Sequence, residues 1–137
     1  GTNAKMTEVN AAIGLANLKY MEDILADRRK KYGIYRDILS HNKLLAFQKI
    51  DPSCNCSYFP VIFPTEEKAL GVDAALQSEN VFARYFYPSV NTYNKLGIDQ
   101  RCPISEDISS RILCLPLYFT LCEEAVETIA KLVLEAL

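Results

Sequence analysis

Residues 1–18 read GTNAKMTEVNAAIGLANL and lead into a proline-free stretch that runs from residue 7 to residue 39. Apolar residues recur in it with the spacing of one helical face, namely Met6, Val9, Ile13, Ala16 and Tyr20. Thr7 and Glu8 suit an N-cap and an acidic first turn. The pattern predicts one long helix or two abutting helices over residues 7–39. An apolar face of this length needs a partner surface, which we expect the rest of the chain to supply.

The sequence after residue 39 predicts shorter helices and strands. Strands are expected over residues 44–50, 55–63 and 81–87, and an extended segment over residues 115–118. Pro60 places the second of these strands at an edge or in an irregular position. Three helices are expected after the first stretch. One begins after the cap Thr65 and ends at residue 78, and its residues Leu70, Ala74 and Leu76 are expected to face the core. The other two are expected over residues 105–112 and, after the cap Thr120, over residues 123–137. This order predicts one α+β domain over residues 1–137, a small and mostly antiparallel sheet covered by helices.

Composition narrows the classes of function. The chain has 137 residues and a formal net charge of −2, so it lacks the excess of positive charge that is typical of nucleic-acid-binding domains. No apolar run approaches the length of a membrane span, so neither nucleic acid nor a membrane is an expected partner. Five cysteines is an odd number, and they are scattered among strong hydrophobes. Reduced thiols in a cytoplasmic protein are therefore expected.

The opening segment also carries a motif, Gly-x-Asn-x-Lys-Met-Thr-Glu-x-x-Ala-Ala-Ile-Gly-x-x-x-Leu, over residues 1–18. It resembles a segment of the DegT/DnrJ/EryC1/StrS family of pyridoxal-phosphate (PLP) aminotransferases, most of which act on nucleotide-linked keto-sugars. Arg28 with Tyr32 and Tyr35 is similar to that family's "R…Y" helix. The segments ARYFYPSVN (83–91) and CPISEDISSRILCLPLY (102–118) match its C-terminal third in order and spacing. The resemblance covers essentially the whole chain.

The resemblance implies the small C-terminal domain of a fold-type I aminotransferase, and so a fragment of a larger enzyme. In that family an N-terminal domain, expected to be absent here, carries the Schiff-base lysine and most phosphate ligands. The parent enzyme is then expected to be a homodimer that moves an amino group, with glutamate as donor, to a nucleotide-linked keto-sugar. This domain is expected to bind no PLP and to have no transaminase activity by itself.

Asn3 and Lys5 are the residues that the resemblance implies for cofactor binding. The family's asparagine at this point reaches across the dimer and donates its amide to the PLP phosphate of the neighbouring subunit. A neutral amide before a helix can meet a dianionic phosphate without desolvating a second charge. Without the motif, Asn3 reads as a residue that caps its own backbone. Lys5 could meet the cofactor or the nucleotide phosphates, or be an exposed lysine ahead of a helix.

Arg84, Tyr85 and Tyr87 form the candidate substrate-binding group. Along a strand, Tyr85 and Tyr87 share a face and Arg84 points the other way. A guanidinium can hold a phosphate in two-point contact, and a tyrosine can stack on a base or bond a sugar hydroxyl. The alternative is a strand with one solvated arginine and two core tyrosines. Much of the family has a histidine a few residues later, where Ser89, Val90 and Asn91 stand here. This departure puts amino-donor contacts in doubt and resembles the branch that acts on 3-keto or 4-keto dTDP-deoxysugars.

Other polar groups give weaker signals. Cys54-x-Cys56 has no second cysteine pair or histidine nearby to complete four metal ligands, so no metal site is expected. The basic run from Arg28 to Lys31 is interpreted as the solvent-exposed face of a helix. Two alternative functions remain open at this point, a non-catalytic binding or regulatory module that reuses the fold and a PLP-dependent sugar dehydratase. The dehydratase has a histidine in place of the Schiff-base lysine.

Overall fold

The computed structural model describes residues 4–85, 87–93, 97 and 99–137. They form five α-helices and one four-stranded antiparallel sheet, which is the expected α+β class. The helices are α1 (Glu8–Leu18), α2 (Met21–Leu39), α3 (Glu66–Ser78), α4 (Pro103–Ser110) and α5 (Glu123–Glu135). The strands are β1 (Ala46–Phe47), β2 (Phe59–Ile62), β3 (Arg84–Tyr85) and β4 (Ile112–Leu115), in the spatial order β1-β2-β4-β3. No described helix has both the length and the apolar character that crossing a membrane requires.

The first stretch is two abutting helices rather than one long helix. Thr7 caps α1 as expected, since its hydroxyl accepts from the Asn10 amide at 3.3 Å. The helix ends at Leu18, and Tyr20, with φ −107° and ψ 3°, leaves helical geometry before α2 begins. The break divides the stretch into two helices with different surroundings.

The core lies between the sheet and three helices. Phe59 of β2 is fully buried, and its ring centroid lies 4.7 Å from that of Tyr32 and 4.8 Å from that of Tyr35. Such aromatic pairs add to the stabilisation that burial itself gives. Leu113 and Leu115 of β4 face the same core, which α2, α3 and α5 cover. Alternation along β4 puts Ile112 and Cys114 on the opposite face of the sheet.

Three expectations about these elements are wrong. The strand β2 is interior, because β1 and β4 pair with it on its two sides. Pro60 is tolerated there because Phe63 donates to Arg111 on the β4 side, and alternation turns Pro60 the other way. On that side, β1 pairs only with Val61 and Ile62. In α3, Leu70 and Ala74 face solvent, whereas Ala69, Val72 and Leu76 are buried. The cap of α5 is Cys122 rather than Thr120.

The apolar face of α1 is not covered by any of the residues that the structure describes, which therefore do not supply the expected partner surface. No residue of α1 is buried. The exposed fractions of Val9, Ile13, Leu15 and Leu18 lie between 56% and 68%. The apolar face of α2, by contrast, is buried through Tyr32, Tyr35 and Leu39. The two abutting helices therefore differ in burial, since α2 contributes to the core and α1 leaves its apolar side chains exposed.

Self-association of the 137-residue chain should depend on α1. Changing both Val9 and Ile13 to Glu should weaken association at least about tenfold, because burying each such side chain contributes roughly 1.5–3 kcal/mol. Sedimentation velocity over a range of concentrations measures the change. Leu70→Glu is the matched control, since Leu70 is also an exposed apolar residue of a helix, at 53%. A wild-type chain that stays monomeric at high concentration would contradict the prediction.

Candidate functional site

Arg84 and Tyr85 lie on opposite faces of the sheet, at the edge strand β3. Arg84 pairs with Cys114 of β4, and Tyr85 pairs with Leu113. Cross-strand partners share a face, so Arg84 lies on the Cys114 side and Tyr85 on the core side. Burial raises the pKa of the Cys114 thiol to about 11, and the positive charge of Arg84 partly opposes that rise. Arg84 itself is exposed and available to a ligand.

Tyr85 lies at the margin of the core, next to α3. Its side chain is 37% exposed. Burial raises the pKa of Tyr85, and the carboxylates of Asp73 and Glu66 raise it further. Asp73 is itself buried, which raises its pKa, and it accepts a 2.7 Å hydrogen bond from Gln77. Tyr85 therefore keeps its phenolic proton at neutral pH and can donate a hydrogen bond.

Tyr87 lies beyond the end of β3, and it does not share the face of Tyr85. It is 75% exposed and lines a cavity of about 440 Å³. Ser89, Ser105 and Ile112 line the same cavity, and Ile112 belongs to the sheet face of Cys114. Tyr87 lies outside the strand bounds Arg84–Tyr85, so strand alternation does not place the two tyrosines on one face as expected. Arg84 and Tyr87 lie toward one face instead, beside a cavity that contains hydroxyl groups.

A hydrogen-bond network holds the segment that follows Tyr87. Ser89 is buried, and its Oγ lies 2.9 Å from Ser105 Oγ and 2.5 Å from Asn91 Oδ1. Asn91 donates to Glu106 Oε1 at 2.6 Å, and Glu106 also accepts from the Cys102 amide at 2.9 Å. Sequence reasoning missed this network. The Cys102-Pro103 step was the available signal, because Pro at the first helical position starts α4 two residues before Ser105.

Glu106 should make this network sensitive to acid. Hydrogen bonds from Arg101, the Cys102 amide and Asn91 lower its pKa from 4.5 to about 2. Because the pKa is lowered on folding, the contribution of Glu106 to stability is complete above pH 4.5 and is lost as the pH falls toward 2. Glu106→Gln should therefore flatten the loss of stability in that window, as acid unfolding followed by circular dichroism would measure.

The exposed carboxylate of Glu67 offers the matched control for this measurement. Glu67→Gln should leave the dependence of stability on pH between 4.5 and 2 as it is in the wild type. If stability falls with decreasing pH as steeply in Glu106→Gln as in the wild type, this pH dependence does not come from Glu106.

The two residues predicted for cofactor binding stand at the beginning of the chain. Asn3 lies outside the described residues. Lys5 is exposed ahead of α1. The one buried lysine in the described part of the chain is Lys31, and its three N–H donors bond Asp27 and the carbonyls of Tyr118 and Phe119. The Lys31 amine is therefore fully occupied by hydrogen bonds within the fold.

All five thiols are free. Over residues 4–85, 87–93, 97 and 99–137, no group of three or more histidine, cysteine, aspartate or glutamate side chains is placed to hold a metal ion. Cys54 and Cys56 contact each other, with the Cys56 amide 3.4 Å from the Cys54 sulfur. The chemistry that these described groups offer is hydrogen bonding and charge.

Comparison with known proteins places this arrangement in a family. The sequence profile of the DegT/DnrJ/EryC1/StrS aminotransferase family matches residues 1–134. The dTDP-4-amino-4,6-dideoxy-D-glucose transaminase of Escherichia coli is 34% identical over 146 aligned residues, which cover 98% of this chain and 39% of that enzyme. This chain therefore spans about two fifths of the length of that curated relative.

Solved structures agree with the family assignment. The aminotransferase TlmJ from Streptoalloteichus hindustanus superposes with a TM-score of 0.88 at 22% identity, over 99% of this chain and 38% of TlmJ, and so shows the fold. DesI, solved in the presence of its TDP-sugar product, has a TM-score of 0.83 at 27% identity, over 99% of this chain and 37% of DesI. From the profile match along nearly its whole length, this chain belongs to the DegT/DnrJ/EryC1/StrS aminotransferase family.

Proposed function

We propose that this chain is the C-terminal domain of a PLP-dependent aminotransferase that acts on a nucleotide-linked keto-sugar. The observation that carries the proposal is its 34% identity, along 98% of its length, to a transaminase of a dTDP-linked deoxysugar. The structure of DesI with its TDP-sugar product supports the same substrate class. The match covers 39% of that transaminase, so the rest of the enzyme would lie on chain outside these residues.

The residues at the end of the sheet suit the sugar nucleotide. The exposed guanidinium of Arg84 can hold a phosphate in two-point contact. Tyr85, which keeps its proton, can donate to a sugar hydroxyl or a phosphate oxygen. Tyr87 is exposed beside a cavity with the hydroxyls of Ser89 and Ser105 on its wall, a surface suited to hydroxyl groups of a sugar. The network through Asn91 and Glu106 would hold this segment in place.

The cofactor would be shared with residues outside this chain. PLP, when bound, supplies the carbanion stabilisation that transamination needs. The family's Schiff-base lysine would lie outside these residues, so this chain would contribute only part of the cofactor site. We assign Asn3 as an amide donor to the cofactor phosphate of the neighbouring subunit and Lys5 as a nearby positive charge. Neither residue forms the covalent bond to the cofactor.

The same proposal includes a homodimeric assembly and a cytoplasmic location for the enzyme. The exposed apolar face of α1 would pack against the remainder of the enzyme and extend a homodimer interface. Five free thiols are consistent with a reducing cytoplasm. Glutamate would be the amino donor, as the family resemblance implies.

The experiment that tests the proposal starts upstream of Gly1. The coding frame is read in that direction, the longer protein is expressed, and amino transfer from glutamate to a dTDP-linked 4-keto-6-deoxysugar is assayed. An upstream frame with the cofactor lysine and an active product supports the proposal. A histidine at the lysine position would indicate the dehydratase instead, and a start codon at Gly1 would indicate a binding module.

The 137-residue chain is assayed in parallel as the internal comparison. After incubation with PLP and dialysis, it should retain no absorbance band of a bound cofactor, since the family's Schiff-base lysine would lie on chain outside these residues. A lasting band that one Lys→Ala change within this chain abolishes would overturn the proposed division of the enzyme.

A further inference from the structure

A cleft of about 570 Å³ lies between α2 and the segment that joins β1 to β2. Arg29 and Arg36 line it from the helix, and Lys49 lines it from the opposite segment. Asp37 is its single carboxylate. The cleft thus gathers three positive charges and one negative charge in a chain whose formal net charge is −2. A local excess of this sign favours an anionic ligand.

These cations have no protein acceptor in the part of the chain that the structure describes. The side chains of Arg29, Arg36 and Lys49 donate no hydrogen bond and form no ion pair there. The guanidinium carbon of Arg36 lies 4.4 Å from the centroid of the Phe47 ring, which restrains its position while leaving its N–H groups free. A planar guanidinium held in this way is suited to two-point contact with phosphate oxygens.

The base of the cleft is open and partly apolar. Gly33 lies between the two arginines on α2, and no heavy atom lies within 4 Å of the position that a Cβ would take there. Arg29 and Arg36 are seven residues apart, which is about 10.5 Å along the helix axis. Tyr32 and Ile50 add carbon surface to the wall. Cations distributed over this length, beside carbon surface, fit a diphosphate that carries an organic group better than a single small anion.

The cleft and the proposed substrate residues lie at different edges of the sheet. The cleft adjoins β1, whereas Arg84 and Tyr85 are on β3, and the strand order is β1-β2-β4-β3. Three strand spacings separate the two edges, about 14 Å. Arg84 therefore does not extend into this cleft, and the two groups of residues offer separate binding surfaces.

We propose that the cleft between α2 and the β1–β2 segment is a binding site for an organic diphosphate, such as a nucleoside diphosphate. Arg29 and Arg36 would hold phosphate oxygens in two-point contacts, and Lys49 would add a point charge from the facing wall. Tyr32 and Ile50 would contact the organic group. The volume is within the range of small-molecule sites, which is about 300–1,000 Å³. The inference rests on the geometry of this cleft and does not depend on the proposed transaminase activity.

Isothermal titration of the 137-residue chain with thymidine 5′-diphosphate tests the proposal. We expect saturable binding with a Kd below about 1 mM, and at least about tenfold weaker binding after Arg29→Ala or Arg36→Ala. Asp37→Asn should strengthen binding, because it removes the one carboxylate that faces the ligand. Lys30→Gln is the matched control, since it removes a positive charge from the neighbouring position of α2, where Lys30 pairs with Glu123 at 2.5 Å.

Gly33→Leu separates binding from folding. The new side chain meets open space, and glycine is a poor helix former, so the fold should be kept while the cleft is filled and binding is lost. Four results would overturn the proposal: no saturable binding of thymidine 5′-diphosphate, equal weakening by Lys30→Gln, binding of inorganic pyrophosphate or of thymidine as tight as that of the diphosphate, or unchanged binding in a folded Gly33→Leu chain.

Discussion

Lys31→Met should lower the free energy of unfolding by about 3 kcal/mol, the lower end of the range for removing one partner of a buried ion pair. Lys31 is 2% exposed. Its Nζ lies 2.5 Å from Asp27 Oδ2, 3.0 Å from the Tyr118 carbonyl and 2.7 Å from the Phe119 carbonyl. Methionine keeps the length of the side chain but removes the Lys31 donor from one carboxylate and two carbonyls, of which the Tyr118 carbonyl still accepts from the Leu121 amide. The lower end applies because the Asp27 side chain is 28% exposed and can be partly hydrated.

Urea unfolding followed by far-ultraviolet circular dichroism measures this loss as a lower midpoint. Lys30→Met is the control on the same helix, since Lys30 is largely exposed and should change the midpoint little. The double change Asp27→Asn with Lys31→Met should recover part of the loss, because no uncompensated carboxylate remains. A Lys31→Met midpoint equal to that of Lys30→Met would show that the buried amine does not stabilise the fold.

Asn3→Ala, in the full-length parent protein, should reduce PLP affinity by roughly ten- to a hundredfold. The proposed amide bond joins a neutral donor to a charged phosphate of the neighbouring subunit, and such bonds contribute about 1.5–3 kcal/mol. Asn3→Asp should weaken binding further, because it sets a carboxylate against a dianion. The stability of the protein without cofactor should hardly change, because the phosphate that the Asn3 amide is proposed to bind is then absent.

Cofactor titration and chemical unfolding of the cofactor-free protein, carried out on both variants, separate binding from stability. Asn10→Ala is a suitable control near the beginning of the chain, since Asn10 is an exposed residue of α1. If PLP affinity is unchanged while the cofactor-free protein loses about 1 kcal/mol, a value typical of a lost cap, Asn3 has a structural role and the assignment is wrong.

The basic run on α2 shows why periodicity alone misassigned charged residues. The sequence pattern predicted one solvent-exposed face for the run Arg28, Arg29, Lys30 and Lys31. Successive helical residues are turned by about 100°, so the run covers the whole circumference of the helix. Lys30 is exposed, Arg29 lines the cleft, and Lys31 is buried against the segment before α5. That segment approaches α2 from 87 residues further along the chain, a contact that no local pattern contains.

The sequence by itself determined the elements that depend on local chemistry, and it identified the family. Thr7 and Thr65 cap their helices, with hydroxyls that accept amide hydrogen bonds at 3.3 Å and 3.2 Å. Caps and apolar periodicity act within a few residues, so they can be predicted from neighbours alone. The α+β class followed from the order of these elements, and the family from motifs that span the chain.

Only the tertiary structure decided which surfaces are covered and which residues meet. It left the apolar face of α1 exposed, made β2 an interior strand despite Pro60, and turned Tyr85 and Tyr87 toward different surroundings. It also joined Ser89 and Asn91 to α4 and opened a cationic cleft beside Gly33. Most of these features depend on contacts between segments that are distant in sequence. Local propensity fixes the elements, and the packing between them fixes their neighbours.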